Sequence, residues 1–169
     1  MKRNFKKLVS ATLALVILSF SVSAFAGGYG DNYTEGYFPV DILKNNNLSI
    51  TTEYLLGLEV GMKVGEVKEN FLNPDSALFF NTQSVGLLND DIIKTGYNLS
   101  VTNYSSSIKC IVKGDTNSDN ILNVSDAVTV RKIILGQSAS GVVKKAADYD
   151  LSGAVSVTDI VALSQEILK

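Results

Sequence analysis

The chain has 169 residues, 15 basic against 17 acidic side chains, and neither histidine nor tryptophan. Without histidine, Ser-His-Asp, Cys-His and His-zinc chemistry are excluded outright. The single cysteine, Cys110, leaves no intramolecular disulfide, so a small domain in this chain must be stabilised in some other way.

Residues 1–26 read as a secretory signal peptide. Lys2, Arg3, Lys6 and Lys7 form a basic start, Leu8 to Val22 is apolar, and Ala24-Phe25-Ala26 supplies small residues for cleavage after Ala26. The alternative is an uncleaved anchor, because 8–26 is nearly long enough to span a bilayer. No cysteine follows the apolar run, which argues against a lipid anchor. Losing the four basic residues leaves 11 basic against 17 acidic groups, a net charge of −6. That balance disfavours nucleic acid and anionic membrane as partners. The expectation is a secreted protein with no membrane association after cleavage.

Residues 27–46 are rich in Gly, Asn and Tyr and read as a flexible leader. Tyr29, Tyr33 and Tyr37 recur every fourth residue and offer rings for stacking on sugars, but the glycines among them argue for a solvated linker. Residues 47–110 read as a small α+β module, a sheet with one helix. Leu48 to Leu56 alternates early and suits a strand, and Val64, Val67, Phe71 and Leu72 fall on one helical face. Asn73-Pro74 ends that helix. Ala77-Leu-Phe-Phe is a short buried-type strand, and two longer strands are expected over roughly 91–102 and 107–113. Cys110 shares its spacing with Ile108 and Val112, which makes it a buried strand residue.

Paired carboxylates are the acid–base chemistry left to this module. Glu66 and Glu69 fall on the wet face of the helix and Asp90-Asp91 in a turn, so no pair is set to face a sugar cleft. The expectation is no catalysis; glycan binding or cleavage by residues 47–110 is the alternative.

The last third carries the strongest pattern. Asp115, Asn117, Asp119, the carbonyl of Ile121, Asn123 and Asp126 stand at the first, third, fifth, seventh, ninth and twelfth places of a loop. Thirty-three residues later Asp148, Asp150, Ser152, the carbonyl of Ala154, Ser156 and Asp159 repeat the spacing. Calcium, a hard cation, takes six to eight oxygens, and a tightly coiled loop turns alternate residues inward to supply them. The expectation is two Ca2+ ions. Gly153 stands where positive φ is needed, and Asn120 occupies the same place in the first copy. Both loops close with Asp where an EF-hand has Glu, and no convincing helix precedes either loop. The unit is therefore loop plus following helix, twice. Asn123 with Asp126 and Ser156 with Asp159 each form a capping box, and Gly136 is placed to end the first helix. Val128, Ile134 and Leu135, matched by Val161, Ile167 and Leu168, are expected core positions. Three acids per loop make much of the negative charge metal-ligand charge.

These loops, with Gly-Asp-Thr-Asn-Ser-Asp at 114–119 and Ile-Ile-Leu-Gly at 133–136, resemble a type I dockerin over residues 111–169. The resemblance implies an all-α domain of two calcium-binding loop–helix (F-hand) repeats. It also implies a cohesin module of a scaffolding protein as partner, in an extracellular, cellulosome-type polysaccharide-degrading complex. By the same resemblance, Val124, Ser125, Arg131 and Lys132 in the first half, and Val157, Thr158, Ser164 and Gln165 in the second, are the partner-binding positions. Arg131 and Lys132 also suit an ordinary solvated helix face. The Arg-Lys and Ser-Gln pairs differ, which argues against equal use of two binding orientations. A third alternative is a calcium-stabilised surface protein that uses no cohesin.

Overall fold

The computed structural model describes residues 42–44, 47–102, 104 and 106–169. The expected signal segment and nearly all of the leader lie outside the described residues. No helix among the described residues is long and apolar enough to cross a membrane.

Five strands form one mixed sheet: β1 (Ser49–Ile50), β2 (Tyr54–Leu58), β3 (Ala77–Phe80), β4 (Asn98–Val101) and β5 (Ser107–Val112), in the order β1-β2-β5-β4-β3. All neighbours are antiparallel except β2 and β5, which run parallel. The single strand expected from Leu48 is two strands, because Thr51 breaks it. Its hydroxyl oxygen accepts the amides of Glu53 and Tyr54, closing a tight turn. A register shift between Leu55 and Leu58 follows at Gly57. With φ +88 and an ideal Cβ only 2.4 Å from the Asn47 carbonyl oxygen, that position admits only glycine.

Helix α1 (Val64–Lys68) contributes Val64 and Val67 to the buried core of the sheet module. It stops sooner than the helical periodicity suggests. Phe71 enters the core from the turn beyond it, edge-on to Phe79 with ring centroids 6.5 Å apart, whereas Leu72 points outward at 64% exposure. The segment expected as a strand from 91 pairs as one only from Asn98. Before that, Ile93 is buried in the core, and Thr95 binds Val112 through its side chain. Ile42–Lys44, inside the stretch expected as leader, joins the module: Leu43 bridges to Phe71, and the Lys44 amide donates to the Asn70 carbonyl. Cys110 is fully buried opposite Leu55, as the alternation predicts.

Beyond β5 the chain is helical: α2 (Val124–Ile134), α3 (Gly141–Ala147) and α4 (Val157–Ile167). α3 was not expected. Ser140 caps it by accepting the Val143 amide, and it leads directly into Asp148, so the second loop does have a helix before it. The first loop follows β5 instead. α2 and α4 pack on each other around Val130, Ala147 and Leu163. Val130 and Leu163 are equivalent by the 33-residue repeat. Val128, Leu135, Val161 and Leu168 are not core residues: they are exposed, Leu135 to 75% and Leu168 to 85%. Ile134 and Ile167 do pack against the core. An amphipathic helix on so small a partner buries a narrow stripe, and the neighbouring apolar positions stay outside. Among the described residues, the helical part buries four apolar side chains, Val130, Ala146, Ala147 and Leu163, against sixteen in the sheet module. At roughly 1.5–3 kcal/mol per buried large side chain, that core is thin for a domain without disulfides.

Candidate metal centre

Both loops adopt the same handedness at the same places. Ser118 and Asn120 in the first, and Leu151 and Gly153 in the second, have positive φ. The expected roles of Asn120 and Gly153 are met; Ser118 and Leu151 were missed, because neither residue type signals that conformation. Each loop closes on an acid that caps the following helix. Asp126 Oδ2 accepts the Asn123 amide at 3.1 Å, and Asp159 Oδ2 accepts the Ser156 amide at 2.7 Å. Their other oxygens reach back to the loop start. Asp126 Oδ1 accepts from the Thr116 amide and hydroxyl at 2.9 and 3.0 Å, and Asp159 Oδ1 from the Asp150 amide at 3.1 Å. Both capping boxes are present, and Gly136, at φ +89, follows the Leu135 cap that ends α2.

The remaining expected ligand positions differ between the copies. In the second loop, oxygens of Asp148, Asp150 and Asp159 lie within 4.8 Å of one another, a group able to hold a metal ion. Asp148 Oδ2 accepts the Gly153 amide at 2.9 Å, and Ala154 O accepts the Ser152 hydroxyl at 3.2 Å. The Ser152 and Thr158 hydroxyls, then the Ser152 amide, hold the pKa of Asp150 down at about 2. In the first loop Asp119 binds the Asn117 side chain and the Ile121 amide. Ile121 O accepts from the Asn123 side chain.

Asp115 is the exception. It is completely buried, and neither carboxylate oxygen has a hydrogen-bond partner. Burial pushes its pKa up. The backbone amides of Asn120 and Thr95 partly oppose this without reaching hydrogen-bond geometry, and the charges of Asp126 and Asp119 add to it. A buried carboxylate is tolerated when paired or bound to a cation. Two orphaned carboxylate oxygens at the first place of an oxygen-rich loop therefore fit a divalent cation, although among the described residues only the three acids of the second loop lie within 4.8 Å of one another.

Residues 113–168 match the family model for the dockerin type I domain. This third of the chain is a type I dockerin. No curated protein and no solved structure matches the chain. On the dockerin, the partner positions named from the sequence are Val124, Ser125, Arg131 and Lys132 on α2, and Val157, Thr158, Ser164 and Gln165 on α4. All are exposed except Ser164, which is half-buried with its hydroxyl donating to the Ile160 carbonyl. The Thr158 hydroxyl is engaged by Asp150 at 2.8 Å. The exposed apolar residues repeat with the dockerin halves: Val124 with Val157, Val128 with Val161, Leu135 with Leu168. The sheet module's approach to the first loop, through Gly61 and Thr95, was invisible in the sequence. The Ser140 cap before a short helix-forming run was the available signal for α3.

Proposed function

We propose that this protein is secreted, non-catalytic, and docks through its calcium-loaded dockerin onto a cohesin of a scaffolding protein in a polysaccharide-degrading complex. In this reading 1–26 is a signal peptide, the stretch from 27 to about 41 a leader, about 42–112 an α+β module without catalytic chemistry, and the remainder the dockerin, built of two F-hand repeats. The observation that carries it is the fully buried Asp115 carboxylate with no partner for either oxygen. Asp115, Asn117, Asp119, Ile121, Asn123 and Asp126 would hold one Ca2+, and Asp148, Asp150, Ser152, Ala154, Ser156 and Asp159 a second. The ions supply positive charge to loops carrying three carboxylates each, which lets so small a buried core suffice. Asp126 and Asp159 act twice, closing a loop and starting a helix, so an ordered loop sets the angle at which α2 or α4 leaves it.

The docking surface is the repeated apolar set Val124, Val128, Val157 and Val161. Arg131 and Lys132 are placed for acidic groups at its edge. The absence of histidine supports a module without Ser-His-Asp, Cys-His or His-zinc chemistry. Calcium at extracellular concentrations keeps sites of ~0.1–1 mM affinity substantially filled. The test is a pull-down of the secreted chain with cohesins of its own organism, with and without chelator. Retention in calcium and release by chelator are expected. Failure to bind any of those cohesins when saturated with calcium would refute the docking role.

A further inference from the structure

The sheet module donates a hydrogen bond into the first loop, whereas the acids of the second loop take theirs from their own loop and helix. Gly61, in the turn after β2, donates its amide to Asn120 Oδ1 at 3.3 Å. On the other side, the Thr95 hydroxyl oxygen accepts the Val112 amide at 3.1 Å and donates to the Val112 carbonyl at 3.3 Å, and Thr95 is itself buried. That same carbonyl accepts the Asp115 amide at 3.2 Å. Thr95 thus fixes the atom from which the loop's first residue hangs. Lys113 continues the β2–β5 pairing by donating to Leu58 O at 2.8 Å, and Gly114 donates to Ala146 O at 2.9 Å. In the second loop, the hydrogen bonds holding Asp148, Asp150 and Asp159 all come from residues 150–158 of the loop and its helix.

We propose that Gly61 and Thr95 of the sheet module are positioning residues for the first ion of the dockerin, so that the two halves bind calcium by different rules: the first as a composite of both modules, the second alone. The inference rests on the calcium reading above. It gives the sheet module a role that needs no ligand or substrate of its own, namely to shape the Asp115 loop. Preorganising a loop removes part of the ordering cost that a cation must otherwise overcome.

Calcium calorimetry on the full mature chain tests it. The first site is read in an Asp148→Asn background and the second in an Asp115→Asn background. Asn120→Gly is the decisive variant. It keeps the backbone amide and suits the φ of +65 better than Asn does, so the loop considered alone predicts unchanged or tighter binding. The composite site predicts a Kd raised about three- to tenfold at the first site, the scale of one lost hydrogen bond, with the second site unmoved. Thr95→Val, of the same shape without the hydroxyl, should weaken the first site by about tenfold or more, and Thr95→Ser should restore it. If Thr95→Val fails to fold, Asn120→Gly and Thr95→Ser decide. First-site affinity within twofold of the parent in Asn120→Gly, or an equal loss at both sites, would overturn the composite site while leaving the calcium reading intact. A wild-type chain that takes up no calcium would overturn both.

Discussion

Replacing Asp115 by asparagine should change stability in opposite directions with and without calcium. The side chains have the same shape, but the ionised carboxylate is a buried charge with no partner on either oxygen. An unsatisfied buried polar group costs about 1–3 kcal/mol, and more when charged. A neutral amide in the same place should therefore recover on the order of 1–3 kcal/mol in the calcium-free protein. At roughly 2–4 °C per kcal/mol for a chain of this size, the chelated variant should melt about 2–12 °C above the chelated wild type. The pH dependence has the matching sign. Because burial raises the Asp115 pKa, the unfolded chain ionises first as pH rises. The chelated wild type should therefore lose stability on going from acid through the ordinary carboxylate range. The asparagine variant should lack that loss. In calcium the order reverses. At free calcium 100-fold above its Kd, one ion stabilises the wild type by about 2.7 kcal/mol, and the variant forfeits this at the first loop. Thermal melts of both proteins in chelator and in calcium, followed by circular dichroism, read all of this. A variant less stable than wild type in chelator would show that Asp115 is not an unpaired charge. A variant with an undiminished calcium-induced rise in Tm would show that it is not a ligand.

Four further outcomes are expected. Leu151, half exposed at φ +58, should gain about 1 kcal/mol on replacement by Asn, since only the backbone penalty is relieved; unchanged melts would argue against strain there. Leu163→Ala should destabilise the dockerin by about 2–5 kcal/mol, whereas Leu168→Ala, at an exposed position, should stay within about 0.5 kcal/mol; similar losses in denaturant melts would contradict the described packing. Cys110 should resist thiol reagents until the sheet module unfolds, because burial pushes its pKa well up. Above the ordinary thiol range the unfolded chain alone ionises, so stability should fall by up to about 1.4 kcal/mol per pH unit; rapid labelling of the native protein would be incompatible with this. Asp148→Ala should weaken total calcium uptake less than Asp115→Ala, since Ser152 and Ser156 are poorer ligands than Asp119 and Asn123; calorimetry giving the reverse order would overturn the ranking.

The loops, their capping boxes and the place of Gly136 were legible because they depend on short-range chemistry: alternating oxygens, a cap three residues from its acid, a residue tolerant of positive φ. The burial of Ile108, Cys110 and Val112 was legible for the same local reason, a period of two, but that of Ile111 between them was not, because the end of β5 is covered on both faces. Other features required distant residues. The exposure of Leu135 and Leu168 depends on how little surface the opposite helix offers, which apolar spacing does not encode. Phe71 is buried and Leu72 exposed because the chain leaves the helix early to meet Phe79, a residue contributed from β3. The splitting of the expected strand at Thr51 depended on a hydroxyl choosing backbone amides three residues away at most, yet alternation masked it. The sequence alone determined that residues 115–126 and 148–159 carry oxygen-bearing side chains at alternate places, because such spacing is a property of consecutive residues. Only the tertiary structure decided that Asp115 is sealed from water, because burial is set by what packs around it, Thr95 and the end of β5 among them, and residues so distant in the chain leave no trace in local order.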